Sequence, residues 1–249
     1  MMYLYLISQL ILMNYQIPTA ASTKYLDSKT IVIQIDPNLI SKSINVGLNS
    51  SKITDALVFI PGLNSTINCP LWYFQQNVSL HQKWIVGDDK KKVPLTNIDK
   101  LDKVIITYKK NGNEILLKLP DIIEFNLLRY FKLEVCHNLN NYKEFECSSL
   151  ICLLANVENN TVYPNFTFNN KNPKAGDFVV LSENTLLPVT QQSLIHIKHW
   201  ALYLGNNQYL SKFGKSTKSL DGLVSIMTLK RMMHLYKCKF SYVAIQKVK

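Results

Sequence analysis

The stretch His196-Ile197-Lys198-His199-Trp200-Ala201-Leu202-Tyr203-Leu204-Gly205-Asn206-Asn207-Gln208-Tyr209-Leu210-Ser211 decides the fold. Aliphatic and aromatic residues fill it on both sides of Gly205-Asn206-Asn207, three residues that tolerate positive φ. It reads as two antiparallel strands, His196–Leu204 and Gln208–Phe213, joined by a tight turn. On its amino-terminal side lies a strand, Asp177–Leu181. On its carboxyl side come a short strand Leu223–Ile226, a helix Leu229–Tyr236 and a last strand Phe240–Lys247. Further upstream, Asp121–Leu133 carries Ile122, Ile123, Leu127, Leu128 and Phe131 at helical spacing, and a second helix runs from Ser148 to about Val157. Helices first and an antiparallel meander after them predict an α+β domain over residues 121–249.

Pro120 marks a change of character. Ser22–Pro120 reads as mostly β with long loops, its strands being Thr30–Ile35, Ala56–Ile60, Val104–Tyr108 and Ile115–Leu119. Asn111-Gly112 between the last two supplies the positive φ of a hairpin turn. Asn68–Trp84 is rich in aromatic residues and reads as core rather than as a ligand surface. Met1–Met13 is apolar apart from Ser8 and Gln9, and Pro18-Thr19-Ala20-Ala21-Ser22 follows. A short apolar core before small residues is the layout of a secretory signal peptide over residues 1–21, although no basic residue precedes Lys24. The expectation is an exported protein, periplasmic or extracellular, in three parts: a leader at 1–21, a β-rich region at 22–120 and an α+β domain at 121–249.

With 47% hydrophobic and 18% charged residues over 249 positions, the chain is not of the disordered class. Its net charge is +11, and Lys198–Lys249 holds ten Lys or Arg against one acid, Asp221. That excess favours anionic surfaces such as a cell-wall polymer. No nucleic-acid motif accompanies it, so nucleic acid is not the expected partner. The five cysteines (69, 136, 147, 152, 238) form no CxxC and no zinc-finger spacing with histidine, so neither a metal nor another cofactor is called for. An odd count in an exported chain leaves at least one thiol; two disulfides and one thiol would fit.

Cys147 stands at the start of the apolar run Leu150–Leu154. Unpaired amides and the positive dipole end at a helix start stabilise a thiolate, which makes a cysteine placed there a nucleophile. Cys152, inside the helix, reads as a small buried hydrophobe. A thiolate needs an imidazole to move a proton to the leaving group. His196 and His199 lie three positions apart on one strand and so face opposite sides of the sheet. That disfavours a metal site of His196 and His199 with Cys147. His199 shares its face with Ala201, whose small side chain leaves space for a helix end, and His199 is therefore the expected partner of Cys147.

These residues carry a family resemblance. Glu146-Cys147-Ser148-Ser149-Leu150, then Lys174-Ala175-Gly176-Asp177-Phe178-Val179-Val180, then His199-Trp200-Ala201-Leu202-Tyr203-Leu204-Gly205-Asn206-Asn207-Gln208-Tyr209-Leu210 resemble the NlpC/P60 superfamily of papain-like cysteine peptidases and amidases. The family pattern runs Asp-Cys-Ser-Gly-Leu, Pro-Gly-Asp-Leu-Val-Phe-Phe, His-Val-Gly-Ile-Tyr-Leu-Gly-Asn-Gly. The likeness covers about Ile122 to Lys249. It implies a papain-like fold, Cys147 as nucleophile, His199 as base and a peptidoglycan stem peptide as substrate, cleaved through an acyl-thioester. Glu146, Ser149 and Trp200 depart from the pattern. The third catalytic position, which orients the imidazole, maps to Ser211, where the family usually has His, Asn or Gln. A three-residue loop Gly205–Asn207 places Ser211 on the face of His199; a two-residue loop Asn206-Asn207 places Lys212 there instead. Tyr142 matches an oxyanion donor loosely, and the backbone amide of Cys147 is the better candidate. The rival readings are a secreted effector of the same fold that cleaves, deamidates or acyl-transfers on a host target, and a non-catalytic binding protein that kept the fold.

Overall fold

The computed structural model describes residues 29–37, 100–132, 147–157, 166–185, 196–212 and 224–247, with the backbone alone at 131–132 and of four strands between 56 and 94. The leader at 1–21, Cys69, Cys136, Tyr142 and the side chains of the 68–84 aromatic stretch lie outside the described residues.

Strands β1 (Thr30–Ile35), β2 (Ala56–Phe59), β3 (Trp72–Asn77), β4 (Gln82–Gly87), β5 (Lys92–Pro94), β6 (Lys103–Lys110) and β7 (Asn113–Leu117) precede the helices α1 (Asp121–Lys132) and α2 (Cys147–Ala155). After them come β8 (Phe166–Asn169), β9 (Phe178–Ser182), β10 (Ile197–Gly205), β11 (Gln208–Lys212), β12 (Val224–Thr228), α3 (Leu229–Leu235) and β13 (Phe240–Gln246). The chain is thus a mixed α+β fold. β2-β1-β6-β7 form a four-stranded sheet, and β5-β4-β3-β12-β11-β10-β9-β13-β8 a nine-stranded one.

Local chemistry accounts for several of these boundaries. Asn111 and Gly112 have φ of 52° and 80° and close the two-residue turn between β6 and β7, with Lys110 opposite Asn113. Pro120 directly precedes α1, and its carbonyl accepts from the amides of Ile123 and Glu124. The carboxylate of Asp177 accepts from the amide of Lys174 at 2.6 Å, which closes the turn into β9. Gly176, at φ +93°, lies against the Pro120 ring, and its amide donates to the carbonyl of Tyr203. The Gly-Asp turn is therefore tied both to β10 and to the start of α1.

The main core crosses Pro120. Ile31, Ile33, Val104, Ile106 and Leu117 share one apolar cluster with Leu127 of α1, with Leu150, Ile151 and Leu154 of α2, and with Trp200 and Leu202 of β10. The change of character at Pro120 is thus a change of element type within a continuous core. Phe166 and Phe168 of β8, a stretch whose sequence reads as loop, pack their rings edge-on against Trp200, at 5.5 Å and 5.9 Å between centroids. A second cluster lies on the other face of the nine-stranded sheet. Val179, Leu181, Ala201, Tyr209 and Met227 meet Met232 of α3 and Cys238 there. The two helical layers thus cover opposite faces of the meander: α2 the face of Trp200 and Leu202, α3 the face of Ala201.

A buried imidazole and a helix-start thiol: the candidate functional site

Cys147 is the first residue of α2, one position earlier than the sequence reading began the helix. Its side chain is half-buried and packs against the main core. Cys152, a turn further on, is fully buried, and burial pushes its thiol up to about 12. Burial, reinforced by the carboxylate of Glu183, also raises the thiol of Cys238. Of the described cysteines, Cys147 therefore combines a helix start with solvent access. All three of these residues carry thiols, which leaves Cys69 and Cys136. At most one disulfide fits, which corrects the expectation of two.

His199 is 1% exposed and belongs to β10. Its register pairs it with Leu181, while the next residue, Trp200, pairs with Val180. Leu181 belongs to the α3-facing cluster and Val180 to the α2-facing one, so His199 points to the α3 side. There the ring of Tyr236, just past the end of α3, stacks on the imidazole, with 3.8 Å between centroids and 16° between planes. Burial lowers the pKa of His199 from 6.5 to about 3, so the ring is neutral at physiological pH. The sequence argument that Ala201 clears the way for the α2 end is corrected here. Ala201 clears the way for α3, whose Met232 shares its cluster.

Two β-bulges set these facings. Ile197 pairs with Ser182 and His199 with Leu181, so Lys198 is an extra residue in the ladder. It lets Ile197 pack on the main core while His199, two positions on, faces away from it. The second bulge settles the position of Ser211. Gly205 pairs with Gln208 across the two-residue turn Asn206-Asn207, whose φ values are 49° and 57°. Tyr203 nevertheless pairs with Tyr209, so Leu204 is an extra residue. The short turn alone would bring Lys212 to the face of His199; the bulge restores Ser211 to it. Ser211 is fully buried opposite Ser225, and neither hydroxyl has a hydrogen-bond partner. Ser211 thus shares the face of His199 without supplying an orienting hydrogen bond. His196 precedes β10, and the extra residue Lys198 lies between it and His199, which corrects the expectation that the two alternate along one regular strand; His196 is half-buried, with Nδ1 at 3.3 Å from Nδ2 of Asn184.

The layout around the meander thus holds a thiol at a helix start over one face of the sheet and a sealed imidazole on the other. The signal that sequence reasoning missed is Tyr236, an aromatic residue at a helix end whose stacking depends on how α3 folds back. Among the described residues no group of three or more His, Cys, Asp or Glu could hold a metal ion, and no helix is long and apolar enough to cross a membrane. No family model, curated protein or solved structure matches the chain.

Proposed function

We propose that the chain is a binding protein of the cell envelope, built on an NlpC/P60-like layout in which the thiol and the imidazole do not work as a pair. The observation that carries this reading is the placement of His199. A general base must lie within hydrogen-bond reach of the proton it takes. The imidazole here is sealed under Tyr236, on the sheet face opposite the one that α2 covers. The resemblance of the three motifs to wall-directed enzymes and the basic carboxyl-terminal stretch support an anionic wall polymer as the partner. The apolar stretch at the amino terminus supports export within the same reading.

The test uses purified sacculi, wild-type protein and Cys147→Ala. Equal binding by both, with no soluble fragments released by either, is the expected result. Fragments released by wild type under reducing conditions and not by Cys147→Ala would overturn it.

One observation favours the hydrolase reading instead: the half-exposed thiol of Cys147 on the first residue of α2, beside the unpaired amides of the helix start. In that reading the chain cleaves an amide bond of a stem peptide through an acyl-thioester. The fragment assay separates the two.

A further inference from the structure

Lys230 and His234 lie four positions apart on α3, on one exposed side of the helix, with Arg231 half-buried beside them. Exposed Lys237 and Lys239 follow just past the helix end. From Val224 to Lys247 the chain holds five Lys or Arg and no acid. The nearby carboxylate of Glu183 is engaged with Lys198 at 3.3 Å. The apolar side of α3 is spent: Met232 is fully buried, and Leu229, Met233, Leu235 and Tyr236 pack against the second core cluster.

From this arrangement we infer that the outer side of α3, continued by Lys237 and Lys239, is the docking surface for a linear polyol-phosphate polymer of the cell envelope. The inference rests on the binding reading above and names its surface. Two features select this partner among polyanions. Inserting into a membrane interface needs an apolar helix face, and α3 has turned its apolar face into the core. Single-stranded nucleic acid is held by aromatic platforms as well as by charge, and no motif for reading a duplex accompanies this basic stretch. Of the aromatic residues that adjoin these lysines in the chain, Tyr236 has its ring stacked on His199 and Phe240 packs against the main core. What remains is a row of solvated cations, which suits a hydrated polyanion without bases.

The experiment compares full-length wild type with the triple variant Lys230→Glu, Lys237→Glu, Lys239→Glu. A matched control, Lys100→Glu, Lys103→Glu, Lys118→Glu, reverses three exposed charges outside this surface and changes the net charge equally. The probes are poly(glycerol phosphate), oligo-dT of equal charge and anionic phosphatidylserine vesicles, titrated at several salt concentrations. The expected result is tightest binding to poly(glycerol phosphate). The α3 variant should lose at least about tenfold in affinity, and its slope of log affinity against log salt should fall by about two. The control should bind as wild type does. Equal losses in both variants would show that only net charge matters and overturn the inference. So would an α3 variant within about twofold of wild type, or tighter binding to oligo-dT or to vesicles. Both variants should fold, because the replaced side chains are exposed, and thermal melts check this. The fragment assay is independent of these titrations: fragment release sinks the non-catalytic reading, while a failed titration sinks only the α3 surface.

Discussion

A sealed imidazole makes folding depend on pH with a sign that a catalytic ion pair reverses. His199 is 1% exposed, and burial lowers its pKa from 6.5 to about 3. As pH falls below 6.5 the unfolded chain takes up a proton at this position, whereas the native chain does so only near 3. The stability contributed by the neutral ring is therefore complete above 6.5 and drains away as pH falls towards 3. At about pH 5, roughly 1.5 units below the unfolded value, the loss is about 2 kcal/mol at about 1.36 kcal/mol per unit. Urea unfolding of wild type and His199→Gln at about pH 8 and about pH 5 measures it. Replacing the ring will itself cost stability at both pH values, so the quantity read is the difference between the two pH responses, in which other titrating groups cancel. Wild type should lose about 2 kcal/mol more than the variant between these pH values. An imidazolium paired with a thiolate has a raised pKa, so acid would favour the wild type instead. A difference near zero, or of that opposite sign, would refute the sealed neutral ring.

Gly176→Ala should cost about 2–5 kcal/mol, the sum of a positive-φ penalty and overpacking, because its Cβ would sit 2.6 Å from Cγ of Pro120. Gly112→Ala, at φ +80° with open space around it, should cost only about 1 kcal/mol in the same denaturant titration; equal losses would mean that the Pro120 contact is not rigid. Lys237 occupies the left-handed position that ends α3, where Lys237 donates to the carbonyl of His234 and Cys238 to that of Met233. Lys237→Gly should therefore raise stability by about 0.5 kcal/mol, and a loss in melting temperature would contradict the left-handed cap. In native protein at mildly acidic pH, iodoacetamide should label Cys147 before Cys152 and Cys238, whose thiols burial holds up. Peptide mapping that finds Cys238 labelled first would remove the case for a distinctive Cys147 thiol.

Short-range chemistry made much of this protein legible from its sequence. Asn111-Gly112 and Asn206-Asn207 announce turns because few other residues accept positive φ. The apolar run after Cys147 and the spacing after Asp121 announce helices, and the meander from Phe178 to Thr228 follows from strand composition. β8 escaped notice because Phe166-Thr167-Phe168-Asn169 is short and becomes a strand by pairing with β13, far along the chain. That His199 shares its face with Ala201 was legible from strand alternation, but which helix covers that face was not. A strand side chain changes face with a single-residue shift, and here Lys198 and Leu204 each add one residue to the ladder. No local signal marks either bulge. Nor does the sequence of α3 say which face of the sheet its Met232 will cover, because that is fixed by packing against Ala201 and Met227. The sequence by itself determined which chemical groups the chain carries and most of the elements that hold them. Tertiary structure alone decided that His199 meets Tyr236 on the face that α3 covers, because face and neighbour depend on register and on contacts between segments distant in sequence.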